Sequence, residues 1–124
     1  MSIGNLYQTA DWKGEKHVPA IDAPTTVKAG EEFEVAVQVG KEIEHPNTFE
    51  HHIVWVKLYY LPKDAKLPVE IGNYDFSAHG EAEALTSPKV VTKLKLNKCG
   101  KLISTSYCNI HGLWTSEVDI TIEA

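Results

Sequence analysis

The sequence predicts an all-β protein, an immunoglobulin-like antiparallel β-sandwich of about seven strands. Three observations carry this. Short apolar runs alternate with polar residues at a period of two, Gly- or Pro-containing turns separate them at close spacing, and no window shows a helical period. The chain has 124 residues, 43% of them hydrophobic, which suits one domain with its own core, and residues 1–124 are read as a single domain.

Residues 1–24 show little periodicity, with Trp12 the expected anchor and residues 15–17 in a loop. Val27 ends one strand, Gly30 turns the chain, and Phe33, Val35, Val37 and Val39 alternate with Glu34, Ala36 and Gln38 as a half-buried strand. From Gly40 to His51 the chain is polar, and Pro46, which has no N–H for a strand ladder, makes this stretch a loop. The longest apolar run, His52 to Leu61, places Val54, Val56, Leu58 and Tyr60 on a core face. Its other face holds Ile53, Trp55, Lys57, Tyr59 and Leu61 and is either covered by another segment or forms a subunit contact, the second being preferred. Pro62 and Pro68 bracket a turn, and the next strand changes phase near Gly72 and Asn73, as a bulge requires. Ala78-His79-Gly80 ends it. Lys89 to Leu96 and Leu102 to Tyr107 read as a hairpin turned by residues 97–100, and Val118, Ile120 and Ile122 mark a final strand.

The net charge of −5, with no Lys/Arg stripe, excludes a nucleic-acid partner and an acidic membrane surface. The N-terminus has no charged segment followed by an apolar one, and no apolar run approaches the length of a membrane span, so a soluble, cytoplasmic protein with no membrane partner is expected. Nine residues of extended chain, about 30 Å, separate Cys99 from Cys108, which speaks against a disulfide. Cys99 reads as a surface turn residue.

Five of the six histidines fall in three short segments. Cys108-Asn109-Ile110-His111 is a two-ligand claw, with Gly112 free to turn the chain away. His45 and His51 lie in the polar loop, and His17 follows Glu15-Lys16. Any one of these histidines alone reads as a solvated loop residue. All of them at strand ends of a rigid sandwich can be gathered at one rim. Together His17, His45, His51 and His111 offer four nitrogens and Cys108 one sulfur. A five-donor square pyramid leaves one position open and suits iron, whereas structural zinc is satisfied by four ligands. His52, pointing oppositely to His51, reads as a packing residue and His79 as a hydrogen-bonded loop residue. Backbone N–H groups of Asn109 and Ile110 are expected to face the Cys108 sulfur. Two rivals remain open. A blue-copper electron carrier would use two histidines and needs an axial ligand that the sole methionine, Met1, does not supply; a zinc-stapled binding sandwich would need Cys108 and three histidines but gives no task to Glu15 and Lys16.

The segments Glu15-Lys16-His17-Val18-Pro19, Gly40-Lys41-Glu42-Ile43, His45-Pro46-Asn47-Thr48, Glu50-His51-His52, Ala78-His79-Gly80-Glu81 and Ser106 to Trp114 resemble the superoxide reductase family, in order from about residue 11 to 114. The likeness is to its one-iron, neelaredoxin-type form within the desulfoferrodoxin family. The resemblance implies iron, one per subunit, with equatorial His17, His45, His51 and His111 and axial Cys108. It also implies Glu15 as a sixth ligand in the oxidised resting state and Lys16 as the residue that draws in superoxide. A homotetramer is implied too, as is rubredoxin as electron donor. The implied activity is reduction of superoxide to hydrogen peroxide without oxygen production. Two positions depart from the family pattern: Glu44, where proline is usual, and Phe49, where threonine is usual. Neither removes a ligand.

Overall fold

The computed structural model describes every residue from Met1 to Ala124. Its strands are β1 (Pro19–Asp22), β2 (Thr26–Lys28), β3 (Phe33–Val39), β4 (Ile53–Pro62), β5 (Val69–Asp75), β6 (Lys89–Leu94), β7 (Gly100–Cys108) and β8 (Gly112–Glu123), with two short 3-10 turns. They form a three-stranded sheet, β1-β3-β6, and a five-stranded sheet, β2-β8-β7-β4-β5. All pairings are antiparallel except β2 with β8.

Alternation decides which faces meet. In β3, Phe33, Val35, Val37 and Val39 are all buried, as the period-two pattern predicts. They pack in one cluster with Val56, Leu58, Leu102 and Ile120 from the other sheet, which is the sandwich core. A fully buried valine or leucine contributes about 1.5–3 kcal/mol relative to exposure.

Four expectations need correcting. Residues 1–24 are not without a strand: β1 pairs with β3 over Pro19–Asp22. In β4 the core phase begins at Ile53, not Val54, because the register against β7 shifts between Ile53 and Trp55 and the extra residue turns Val54 outward. The β6 and β7 segments are not a hairpin. β6 pairs with β3 and β7 with β4 and β8, so residues 95–99 carry the chain from one sheet to the other. The final strand is twice as long as expected, starting at Gly112 directly after the claw. The bulge in β5 is present, opposite the Leu58/Tyr59 step and one residue before Gly72.

Cys99 and Cys108 are both free. Cys99 sits in the crossover as expected and is half-buried, its sulfur accepting the Ile122 N–H at 3.2 Å. No helix is long and apolar enough to cross a membrane.

Candidate metal centre

Three connections meet at one end of the sandwich. His17 stands just before β1, and its carbonyl accepts a hydrogen bond from the buried Ser106 hydroxyl of β7 at 3.2 Å. His45 and His51 lie in the β3–β4 connection, which leaves β3 through Gly40. Cys108 closes β7 and pairs with Gly112 across a three-residue loop, so Cys108 and His111 sit on a hairpin tip. Gly112 has φ of +83°, which lets β8 start immediately after His111.

Asn109 fastens this tip to the histidine loop. Its side-chain oxygen accepts the His52 N–H at 2.9 Å and its side-chain nitrogen donates to the Glu50 carbonyl at 2.9 Å. Its backbone N–H goes to the His52 carbonyl, not to sulfur. The N–H that does reach the Cys108 sulfur, at 3.4 Å, belongs to His111, so the expected donor role of Asn109 and Ile110 is corrected to His111. Sequence reasoning also missed Trp114, which stacks on the His17 ring with centroids 5.3 Å apart and donates from Nε1 to the His111 carbonyl. Both residues lie within the motif around Cys108, but spacing alone does not assign them a task.

The ligand atoms converge. One donor atom each from His17, His45, His51 and Cys108 lies within 4.8 Å of all the others. His111 joins them, with Nδ1 at 3.0 Å from His17 Nε2, 3.2 Å from His51 Nε2 and 3.8 Å from the Cys108 sulfur. His45 Nε2 is 3.5 Å from the same sulfur. The ring centroids run around a four-cornered figure, His17–His45 4.9 Å, His45–His51 4.7 Å, His51–His111 5.0 Å and His111–His17 4.4 Å. The His17–His51 separation of 6.3 Å is longer, as a diagonal is.

Two imidazoles bound at about 2.1 Å and at right angles on one ion have nitrogens about 3.0 Å apart, against about 3.4 Å in a tetrahedron. The observed 3.0 Å matches the right-angle spacing, and 3.2 Å lies midway between the two. Four imidazole nitrogens and one buried sulfur make five donors, one more than four-ligand zinc needs, which suits iron with an open position. A blue-copper site is disfavoured as well, since Met1 is fully exposed and four histidines converge where copper would use two.

Second partners set the tautomers. His17 Nδ1 lies 2.6 Å from Glu15 Oε1, and His45 Nδ1 lies 2.6 Å from the Pro46 carbonyl, so each ring presents Nε2 to the centre. Burial, helped by the nearby charges of His17, His51 and Lys16 and opposed by the Pro46 carbonyl, pushes His45 down to about 4. His51 is also lowered, first by burial and then by the charges of His111, His17 and Lys16. Both rings therefore keep a free lone pair at neutral pH. Glu15 is held below the usual carboxylate range, chiefly by its hydrogen bond to His17. Its oxygen also accepts the His17 backbone N–H at 3.0 Å, so here it braces His17 and does not stand among the converging atoms. Lys16 is half-buried. Glu44 and Phe49 are exposed, Phe49 by 75%, and neither intrudes on the donors.

His52 and His79 stand apart from the five donors, as expected. They stack on each other with centroids 3.6 Å apart and planes 10° from parallel.

The desulfoferrodoxin family model matches residues 9–117. A Pyrococcus abyssi superoxide reductase is 50% identical, covering 95% of this chain and 98% of its own. The neelaredoxin of Megalodesulfovibrio gigas is 44% identical over 99% of this chain and 100% of its own. Among solved structures, the reduced superoxide reductase (neelaredoxin) of Archaeoglobus fulgidus superposes with a TM-score of 0.86 at 47% identity, covering 94% of this chain and 98% of that one.

Proposed function

The chain belongs to the desulfoferrodoxin family, and on that premise we infer that it is a superoxide reductase, an oxidoreductase with iron as its metal. It converts superoxide, one electron and two protons to hydrogen peroxide and releases no oxygen. The observation that carries this reading is the convergence of the four imidazole nitrogens and the buried Cys108 sulfur at one rim. Iron held there would supply one-electron redox chemistry, and the Cys108 thiolate would tune its potential.

In this reading His17, His45, His51, His111 and Cys108 would hold the iron. Ser106, Pro46 and Asn109 hold the backbone and rings in place, and the His111 N–H draws electron density from the sulfur. Lys16 supplies the positive charge that attracts the anion; its charge is already felt at His45 and His51. Glu15 takes the sixth position in the oxidised resting state, which requires it to leave His17 Nδ1.

Residues 1–124 act as one iron-binding domain in the cytoplasm, with rubredoxin as the donor. Subunits assemble as a homotetramer. The outward face of the five-stranded sheet supports assembly: Trp55, Tyr59 and Tyr107 are half-buried there. Thr105 lies on the same face between Lys57 and Thr115, its hydroxyl already buried within the chain and without a hydrogen-bond partner.

Elemental analysis with the visible spectrum of the oxidised protein tests the site, and the product ratio tests the reaction. Iron, a blue thiolate band and one peroxide per superoxide without oxygen are expected. Colourless zinc, copper, or oxygen release as in a dismutase would overturn the reading.

A further inference from the structure

His79 is 7% exposed and lies on no ligand. Its Nε2 is 2.6 Å from the Phe76 carbonyl and its Nδ1 2.9 Å from Asn47 Oδ1. A carbonyl oxygen has no hydrogen to give. The Asn47 amide cannot be turned over to offer one, because its nitrogen already donates to the Thr86 carbonyl at 3.0 Å. Both ring nitrogens thus face obligate acceptors. A neutral imidazole satisfies one of them and sets a bare lone pair against the other, a costly arrangement in a buried place.

From this geometry, and resting on the reading of the site as the iron centre, we infer that His79 donates from both ring nitrogens as an imidazolium cation. In that form it is a positioning residue that braces the His45–His51 loop and places a fixed positive charge beside it.

The surroundings accommodate that charge. Glu81, in the turn after His79, accepts the His79 backbone N–H on its carboxylate at 3.0 Å. The carboxylate is itself held below the usual range, first by that hydrogen bond and in part by the charges of His79 and His52. The His52 ring lies parallel on His79, and its Nδ1 donates to the Thr48 carbonyl at 2.8 Å. Glu81 and His52 are the charged or titratable groups that contact His79.

The brace reaches the metal through Asn47. Held at one end by Thr86 and at the other by His79, Asn47 fixes the peptide next to Pro46, whose carbonyl orients the His45 ring. One residue on from Asn47, the Thr48 hydroxyl accepts the His51 N–H at 3.0 Å, so the same loop positions both rings. A cation near the site also favours the less positive, ferrous state, and so raises the reduction potential.

Nitrogen-15 NMR of the zinc-substituted wild-type protein at neutral pH should show both His79 ring nitrogens carrying hydrogen. One nitrogen in the bare lone-pair range would overturn the cation. In competition with a chelator for ferrous iron, Asn47→Ala and His79→Ala should each weaken retention about ten- to a hundredfold. The double variant should lose little more than either single one, because the two act through one hydrogen bond. Additive losses, or none, would overturn the brace. His79→Gln, which keeps one donor and removes the charge, should retain more iron than His79→Ala while its midpoint potential shifts down; an unchanged potential would overturn the electrostatic part. These outcomes separate from the function itself. If wild-type iron protein fails to reduce superoxide, the enzymatic reading falls whatever the nitrogen shifts are; if it succeeds while the variants keep iron and potential, only the assignment of His79 falls.

Discussion

Glu15 and Lys16 are neighbours of opposite charge at the mouth of the site, and their tasks can be separated. The substrate is an anion and the chain carries −5, so long-range attraction by net charge is unfavourable and capture depends on the local field of Lys16 and the metal. Lys16→Ala should slow superoxide capture about tenfold and flatten its decline with ionic strength while iron stays bound. Glu15→Ala should leave capture fast and alter the oxidised spectrum, since in the proposed reading the carboxylate serves only the resting state. Pulse radiolysis of the reduced variants decides, and slow capture in the Glu15 variant would contradict this division. Cys108→Ser should abolish both the blue band and reductase activity, because the thiolate is the charge-transfer donor. Cys99→Ser should change neither, since its sulfur serves only the β8 backbone at Ile122. At the far end of the sandwich, burial and the neighbouring Cys99 raise the Tyr60 phenol above its usual range. Its hydroxyl donates to the Lys98 carbonyl at 2.6 Å. A group whose folded pKa exceeds its unfolded one contributes stability that is complete below the unfolded value, about 10 for tyrosine, and is lost as pH rises through the folded value. Tyr60→Phe should therefore flatten part of the alkaline fall in stability, measured by denaturant titration across that window.

Among the elements, the β3–β4 connection carries two of the five proposed ligands and has little regular structure, so its shape depends on a few fixed points. Gly40 is one of them. Its φ is +84°, and a Cβ there would lie 2.5 Å from the His45 backbone nitrogen and 3.1 Å from the His45 Cβ. Gly40→Ala should cost about 1–3 kcal/mol of stability through backbone strain. Because the clash falls on His45 itself, iron retention should drop along with thermal stability. Gly14→Ala meets nothing within 4 Å and serves as the control, with both quantities near wild type. Calorimetry and chelator competition on the two variants check this; a Gly40 variant that matches the control would remove the connection's rigidity from the account. The hairpin tip contributes the other point of order, since Asn109 bonds to Glu50 and His52 and so locks Cys108 and His51 to a common frame.

For the whole molecule, the two sheets differ in what their outer faces show to solvent. On the five-stranded sheet, the Trp55 ring lies 6.0 Å from Tyr107 and under the Lys57 ammonium at 4.5 Å, a compact aromatic and cationic surface flanked by the orphaned Thr105 hydroxyl. An interface core is enriched in aromatic residues of this kind. Trp55→Lys should shift the assembly towards smaller species in light scattering while the isolated fold persists. An unchanged mass would overturn the proposed subunit contact and leave this face covered within the subunit.

Side-chain chemistry and local periodicity were legible in the sequence itself. The donor types, the Cys-x-x-His spacing and the burial of β3 follow from residue identity and a period of two, which are local properties. The family motifs carried the ligand set further than spacing could. What depended on distant partners was not legible. β1 is only four residues long and exists because β3 lies beside it, and β6 and β7 resemble a hairpin until each finds its strongest partner in a different sheet. The bulge that exchanges Ile53 for Val54 arises from register against β7, which no local pattern records. Likewise, which ring nitrogen faces the centre is set by Glu15 and Pro46, and the His79 brace by Asn47 and Phe76. A histidine has the same two nitrogens in any sequence; only its neighbours in space decide which of them is free to act.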